Sequence, residues 1–257
     1  MWRAALTELV ATATLMFILT SCIISCLDSD VADPKLLIPF IIFAVVFLFL
    51  MVTVPLSGGH MSPIFTFIAA LKGVISLTRA ATYVVAQCIG SIMGFIVVKC
   101  VMSHEEAAKY SLGGCTVVAN GAAPGLGPST ALMLEFVCTF VVLFVGVTVA
   151  FDQRRCAQLG LTTVCAIVAG IMGLVVYVSV TITGQPAYAG VGLNPARCLG
   201  PAILLNGRLW EGHWVFWVGP FFGCIVYYGY SRNIPNGLVM GDGEFDFVNM
   251  VGRLIGR

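Results

Sequence analysis

The sequence predicts an all-α membrane protein, an inverted repeat of six transmembrane helices plus two re-entrant half-helices forming one domain. Three observations carry that prediction. The chain of 257 residues is 59% hydrophobic and only 10% charged, with a mean hydropathy of +1.01, too apolar for the surface of a water-soluble domain. A Glu-x-x-x-Thr motif occurs twice inside apolar runs, Glu8 to Thr12 and Glu135 to Thr139. Two glycine-bearing turns, at 57–65 and 190–198, each lead through a proline into a short apolar stretch.

The first apolar run, residues 4–27, exceeds the roughly 20 residues that cross a bilayer. No cleavage-site pattern follows it, so it reads as a retained helix rather than a signal peptide. Glu8 within it costs about 2.5 to 3.5 kcal/mol at the bilayer centre on insertion scales, which calls for a polar interior and a partner. An interfacial place near the helix end is the other reading. An acidic turn, Asp28, Asp30, Asp33 and Pro34, leads to the second run, 36–56, with Pro39 near its start and Pro55 near its end.

Ser57-Gly58-Gly59-His60-Met61-Ser62-Pro63-Ile64-Phe65 comes next, followed by Thr66 to Leu71. Ser62 is a good cap, and Pro63 suits the first helical position, where its missing N–H would be orphaned anyway. About eight helical residues rise only ~12 Å, under half of the ~30 Å hydrocarbon core. This half-helix must therefore re-enter and turn back, its glycine leg buried in protein or lining a cavity.

The third span, about 80–102, carries Ala86, Gly90 and Gly94 at four-residue spacing, a small-residue stripe that lets helices approach closely. A polar connection, 103–128, contains Leu112-Gly113-Gly114-Cys115. The fourth span begins near Ser129 and contains Glu135, and the fifth covers 157–183. Gly190-Val191-Gly192-Leu193-Asn194-Pro195-Ala196-Arg197-Cys198 then repeats the earlier grammar, with Asn194 as cap and Pro195 opening a second half-helix over 195–205. The sixth span, 213–231, has the small pair Gly219 and Gly223. The tail, 233–257, with Phe245 and Phe247, reads as a short amphipathic cytoplasmic segment.

The chain thus holds two copies of one unit, repeat 1 over 1–102 and repeat 2 over 129–232. Three full crossings per copy place the second upside down relative to the first. The half-helices then meet with their N-termini facing. Arg3, Lys72, Arg79, Arg154, Arg155 and Arg232 all fall on the side of the two chain ends, which the positive-inside rule makes cytoplasmic.

These motifs, together with Ser57-Gly58-Gly59-His60 and Trp214-Val215-Phe216-Trp217-Val218-Gly219-Pro220, resemble those of the major intrinsic protein (aquaporin) superfamily over nearly the whole chain. Two departures narrow the branch: Ser62-Pro63-Ile64 stands where that family has its first Asn-Pro-Ala, and Cys198 follows Arg197 where many relatives have serine. With Leu112-Gly113-Gly114-Cys115, the chain is similar to the plant X intrinsic proteins.

The resemblance implies an outer constriction of Ile42, Ile182, Val191 and Arg197, the second taken from an ungapped count back from Asn194 that leaves Thr181 and Thr183 as alternatives. Aliphatic residues beside one arginine suit glycerol, urea, boric acid or hydrogen peroxide better than water alone. Ala202, Phe216 and Trp217 resemble the water-channel type instead. The resemblance also implies a homotetramer in the plasma membrane, with one pore per subunit and small neutral solutes as its partners besides the lipid bilayer.

Facing half-helix N-termini bring roughly +0.5 charge each to the midplane, and Arg197 adds a full charge toward the outer mouth. Such positive ends exclude protons and cations. Asn194 can offer its amide N–H to a solute, whereas the Ser62 hydroxyl can be occupied as a cap. Glu8 and Glu135 read as acceptors for backbone N–H groups of the glycine legs, in preference to a proton relay. His60 lines the inner vestibule or caps a loop, while His104 and His213 read as solvated loop residues.

Cys198 reads as an inert thiol. For Cys115 an inert thiol stands level with a disulfide between neighbouring subunits or a redox-sensitive thiol. The net charge of +1 offers no nucleic-acid footprint. No phosphate loop, metal-ligand cluster, cofactor motif or nucleophile beside a base is present in the sequence, so an enzyme is not expected. A secondary transporter or a closed structural membrane protein are the alternatives to a channel.

Overall fold

Helices account for the regular structure in the computed structural model, which describes residues 1–29, 34–117, 125–183 and 190–233. In order they are α1 (Trp2–Asp28), α2 (Pro34–Ser57), α3 (Pro63–Leu71), α4 (Leu77–Val101), α5 (His104–Lys109), α6 (Pro128–Ala150), α7 (Gln153–Thr183), α8 (Pro195–Leu205) and α9 (Val215–Asn233). Five of them, α1, α2, α4, α6 and α7, are long and apolar enough to cross a bilayer. The sixth, α9, runs 19 residues and is made less apolar by Tyr227, Tyr228 and Tyr230.

The packing repeats twice. Helix α1 lies against α4 and α6 lies against α9, while α2 and α7 meet across the repeats. Half-helix α3 touches α4 and α9, and α8 touches the same two. The small-residue stripes make the close crossings, since a Cβ on Gly90 or Gly94 would strike the carbonyl oxygens of Leu9 and Ala13 on α1. In the second repeat a Cβ on Gly219 would sit 2.7 Å from Glu135 Cβ. The motif threonines belong to these crossings: Thr12 packs beside Gly90 and Thr139 beside Gly223, and their hydroxyls make no hydrogen bond among the described residues.

The outer surface is apolar. Leu48, Val52 and Leu56 stand along one face of α2 at 62%, 63% and 61% exposure. Such a ring of exposed aliphatic side chains is the surface of a protein solvated by hydrocarbon.

Three elements differ from expectation. The connection 103–128 is not wholly irregular, because Ser103 accepts from the Glu106 N–H at 3.2 Å and caps α5. That helix is tied to the end of α1 by Lys109 and Tyr110, whose Nζ and hydroxyl both donate to Asp28 Oδ1 at 2.8 Å. Helix α6 contains a π-helical turn, Leu143–Val147, which periodicity does not announce. Helix α7 starts earlier than the fifth span was placed and breaks at Gly160, whose φ of 75° favours glycine. Asp30, Asp33 and the tail beyond Asn233, with Phe245 and Phe247, lie outside the described residues.

His213 corrects another expectation. It is 5% exposed, wedged beside Trp210 and Phe216, and its Nε2 accepts from Trp217 Nε1 at 3.3 Å. Burial pushes its pKa below the ordinary 6.5, so the neutral ring that accepts this bond is the native form. The unfolded chain then binds the extra proton as pH falls through about 6.5, and stability falls with it. The thermal midpoint in detergent is expected to drop between pH 7 and pH 5 more in the wild type than in His213→Gln, and equal slopes would remove His213 as the cause.

Candidate pore and constriction

Each glycine leg is held by a buried carboxylate. Glu8 is fully buried. Its Oε1 accepts from the Ser57 hydroxyl at 2.6 Å and from the His60 N–H at 3.1 Å. Its Oε2 accepts from the Met61 N–H at 2.6 Å and from Gln87 Nε2 at 2.8 Å. A single carboxylate thus satisfies two backbone donors that have no helix of their own to pair with. Gln87 also donates to Thr66 Oγ1 at 2.9 Å, tying α4 to α3.

Glu135, also fully buried, does the same in the second repeat. Its two oxygens accept from the Gly192 N–H at 2.5 Å and the Leu193 N–H at 3.2 Å. Ser179 on α7 accepts the next donor up the leg, Val191 N–H, at 3.1 Å. Ser57 stands in the glycine motif of the sequence with no role attached, and Gln87 and Ser179 stand in no motif. Isolated polar residues inside apolar runs were the signal available for the last two.

The legs meet. Met61 and Leu193, which precede the two caps, both have positive φ, 47° and 52°. Asn194 Nδ2 donates to the Met61 carbonyl at 2.9 Å, so the N-terminus of α8 is latched to the leg of α3. The same amide's Oδ1 accepts from Ala196 and Arg197 N–H at 3.1 and 3.3 Å. Ser62 Oγ accepts from Ile64 N–H at 3.4 Å. Pro63 and Pro195 each occupy the first helical position, and Ile64 and Ala196 behind them are fully buried. The two N-terminal partial charges therefore face one region.

One side of that region opens into a cavity of about 330 Å³. Leu15, Val46, Leu50 and Met172 supply apolar wall, and His60, Ser62 and Asn194 the polar part. His60 Nδ1 lies 3.1 Å from Thr66 Oγ1, and its ring meets Tyr83 edge-on with centroids 5.4 Å apart.

On the other side lie Ile42, one turn along α2 from Val46, and Val191, 6% and 4% exposed and joined in one apolar cluster. Ile182 does not join them. It is 70% exposed, and Thr181 is exposed too. Cys165, Val168, Val176 and Ser179 mark the buried face of α7. At 100° per residue Thr183 stacks over Cys165 and Val176 and Ile182 over Val164 and Val175, so the helical count does not separate them and their difference in exposure does. Thr183 is half-buried and its hydroxyl donates to the Val180 carbonyl at 3.2 Å.

Arg197 is held from the outer connection. Nη1 donates to Cys115 Sγ and Nη2 to the Gly113 carbonyl, both at 3.2 Å. Cys115 and Cys198 form a disulfide with each other, across 83 positions. This overturns the inert-thiol reading of Cys198 and places the bond within one chain rather than between subunits. Among the described residues no group of histidines, cysteines and carboxylates has the arrangement of a metal site.

Comparison with known proteins accords with this architecture. The family model described as Major intrinsic protein matches residues 1–228. The chain is 35% identical over 239 residues to aquaporin PIP2-7 of Musa acuminata, covering 91% of this chain and 81% of that one. It is 31% identical over 240 residues to a probable aquaporin PIP2-6 of Oryza sativa subsp. japonica, with the same coverage. Among solved structures it resembles the aquaglyceroporin from Plasmodium falciparum, with a TM-score of 0.74 at 20% identity, over 90% of this chain and 96% of that one.

Proposed function

The chain belongs to the major intrinsic protein family, whose members are membrane channels and not enzymes, and from that premise we propose that it passively conducts small uncharged solutes. Glycerol, urea, boric acid and hydrogen peroxide are the expected cargo, with some water, and protons and ions are excluded. The observation that carries the reading is that Ile42 and Val191, which the family's spacing assigns to the constriction with Arg197, lie in one apolar cluster. Ile42 and Val191 give the constriction an apolar side, and Thr183, in the place first assigned to Ile182, gives it a hydroxyl. Such an opening offers donors to a solute's oxygen atoms and a dry wall to its carbon face.

The route runs from that constriction past Asn194 to the cavity beside His60. An amide carries two N–H donors. One of Asn194's binds Met61, and the other serves the passing solute. Cations meet the Arg197 charge and then two helix N-termini. Glu8 and Glu135 hold the legs that carry these donors. Both chain ends lie on the cytoplasmic side of a plasma-membrane homotetramer in this reading, and the departures at Ser62, Ile64 and Cys198 support a likeness to the X intrinsic proteins.

A mainly water-conducting pore is the second reading, favoured by Ala202, Phe216 and Trp217 and by the names of the relatives. Stopped-flow light scattering on proteoliposomes separates the two. Fast, non-saturating re-swelling in glycerol or urea gradients over empty liposomes is expected. Accelerated shrinkage in sucrose without that re-swelling would replace the solute channel by a water channel.

A further inference from the structure

We propose that the Cys115–Cys198 disulfide, buried at both cysteines, is a latch that positions the constriction arginine, so that its reduction changes which solutes pass. The inference rests on the reading of Arg197 as part of the constriction. Cys198 is the residue after Arg197, and its partner Cys115 lies two residues beyond Gly113, whose carbonyl accepts from Arg197 Nη2. The bond therefore ties the backbone that carries the guanidinium to the turn that holds it. Cys115 Sγ is itself an acceptor for Nη1.

The turn does not hold its shape cheaply. Ser111, Leu112 and Gly113 have consecutive φ values of 48°, 50° and 64°, a left-handed run that persists only where surroundings over-determine it. Leu112 is fully buried and anchors one side, and the disulfide anchors the other. The sulfurs also press on the second leg. A Cβ on Gly192 would strike Cys198 Sγ and lie 3.2 Å from Cys115 Sγ, on the same residue whose N–H Glu135 accepts. Turn, latch, arginine and leg form one packed unit.

Opening the latch consumes one dithiol. The disulfide and dithiothreitol give two cysteine thiols and the cyclic disulfide of the reagent. Closing it consumes one hydrogen peroxide, with both thiol protons leaving in two waters. Once open, the turn relaxes and the Cys115 sulfur and the Gly113 carbonyl no longer hold the guanidinium at fixed positions.

The test uses the purified wild type in proteoliposomes, oxidised or treated with dithiothreitol. Alkylation mass shifts establish the state of both cysteines, phenylglyoxal labelling reports the reactivity of Arg197, and stopped flow reports glycerol and water. Losing a charge-assisted hydrogen bond corresponds to about a tenfold rise in Arg197 labelling on reduction. Glycerol flux rises relative to water, dilute peroxide reverses both changes, and Cys115→Ser is fixed at the reduced behaviour. Unchanged Arg197 labelling with both thiols demonstrably open would overturn the latch, whatever permeates. Raised labelling with no glycerol or urea flux in either state would sustain the latch and sink the solute-channel reading.

Discussion

Glu135→Ala is expected to yield a chain that extracts from membranes as aggregate and conducts nothing. The substitution strips the acceptor from the N–H groups of Gly192 and Leu193 at a fully buried position where water cannot replace it. Each orphaned donor costs about 1 to 3 kcal/mol. A native state stabilised by only about 5 to 15 kcal/mol loses much of its margin from two of them. The loss is also local, because the leg that positions Asn194 and Arg197 has no helix or sheet to fall back on. Glu135→Gln keeps one carbonyl oxygen and is expected to extract as a monodisperse particle with a lowered thermal midpoint. Thr139→Val is the control, since the Thr139 hydroxyl has no hydrogen-bond partner among the described residues. Size-exclusion profiles and thermal midpoints of the three variants decide the matter, and a monodisperse, conducting Glu135→Ala would show that the leg is held by packing alone.

Arg197→Val carries the largest expected effect on selectivity. A unit charge at about 4 Å in a protein environment of effective dielectric about 20 is worth roughly 4 kcal/mol against an entering cation. The half-helix termini keep part of the barrier, so the expected gain in proton leak is about tenfold. Glycerol and urea flux rises as well, because the constriction loses a bulky side chain while Ile42 and Val191 stay. A pH-sensitive dye inside proteoliposomes under a potassium–valinomycin potential measures the leak. No change in leak alongside raised glycerol flux would move the ion barrier wholly to Asn194 and the facing helix ends.

Much of this is legible in the amino-acid sequence. Proline behind a cap residue marks a helix start wherever it stands, and the structure puts helix starts at Pro63 and Pro195. A glutamate in an apolar run demands a partner whatever the fold, and the glycine legs carry backbone N–H groups with no helix to pair them. Ile182 shows where such reasoning stops. An ungapped count fixes a position along the chain but not the rotation of the helix, and a one-residue error turns a side chain 100° about the axis. His213 shows the same limit for burial, because a lone histidine between spans gives no sign of the tryptophan and phenylalanine that enclose it.

The sequence by itself determined the membrane class, the inverted repeat, both half-helices and the two carboxylates. All follow from local grammar or from the penalty that hydrocarbon places on unpaired polar groups. Only the tertiary structure decided that Ile182 is exposed where Thr183 is half-buried, that Thr12 and Thr139 serve helix crossings, and that Cys115 is bonded to Cys198 across 83 positions. Those outcomes depend on how helices rotate and approach one another, which is set by contacts between residues far apart in the chain and leaves no periodic mark along it.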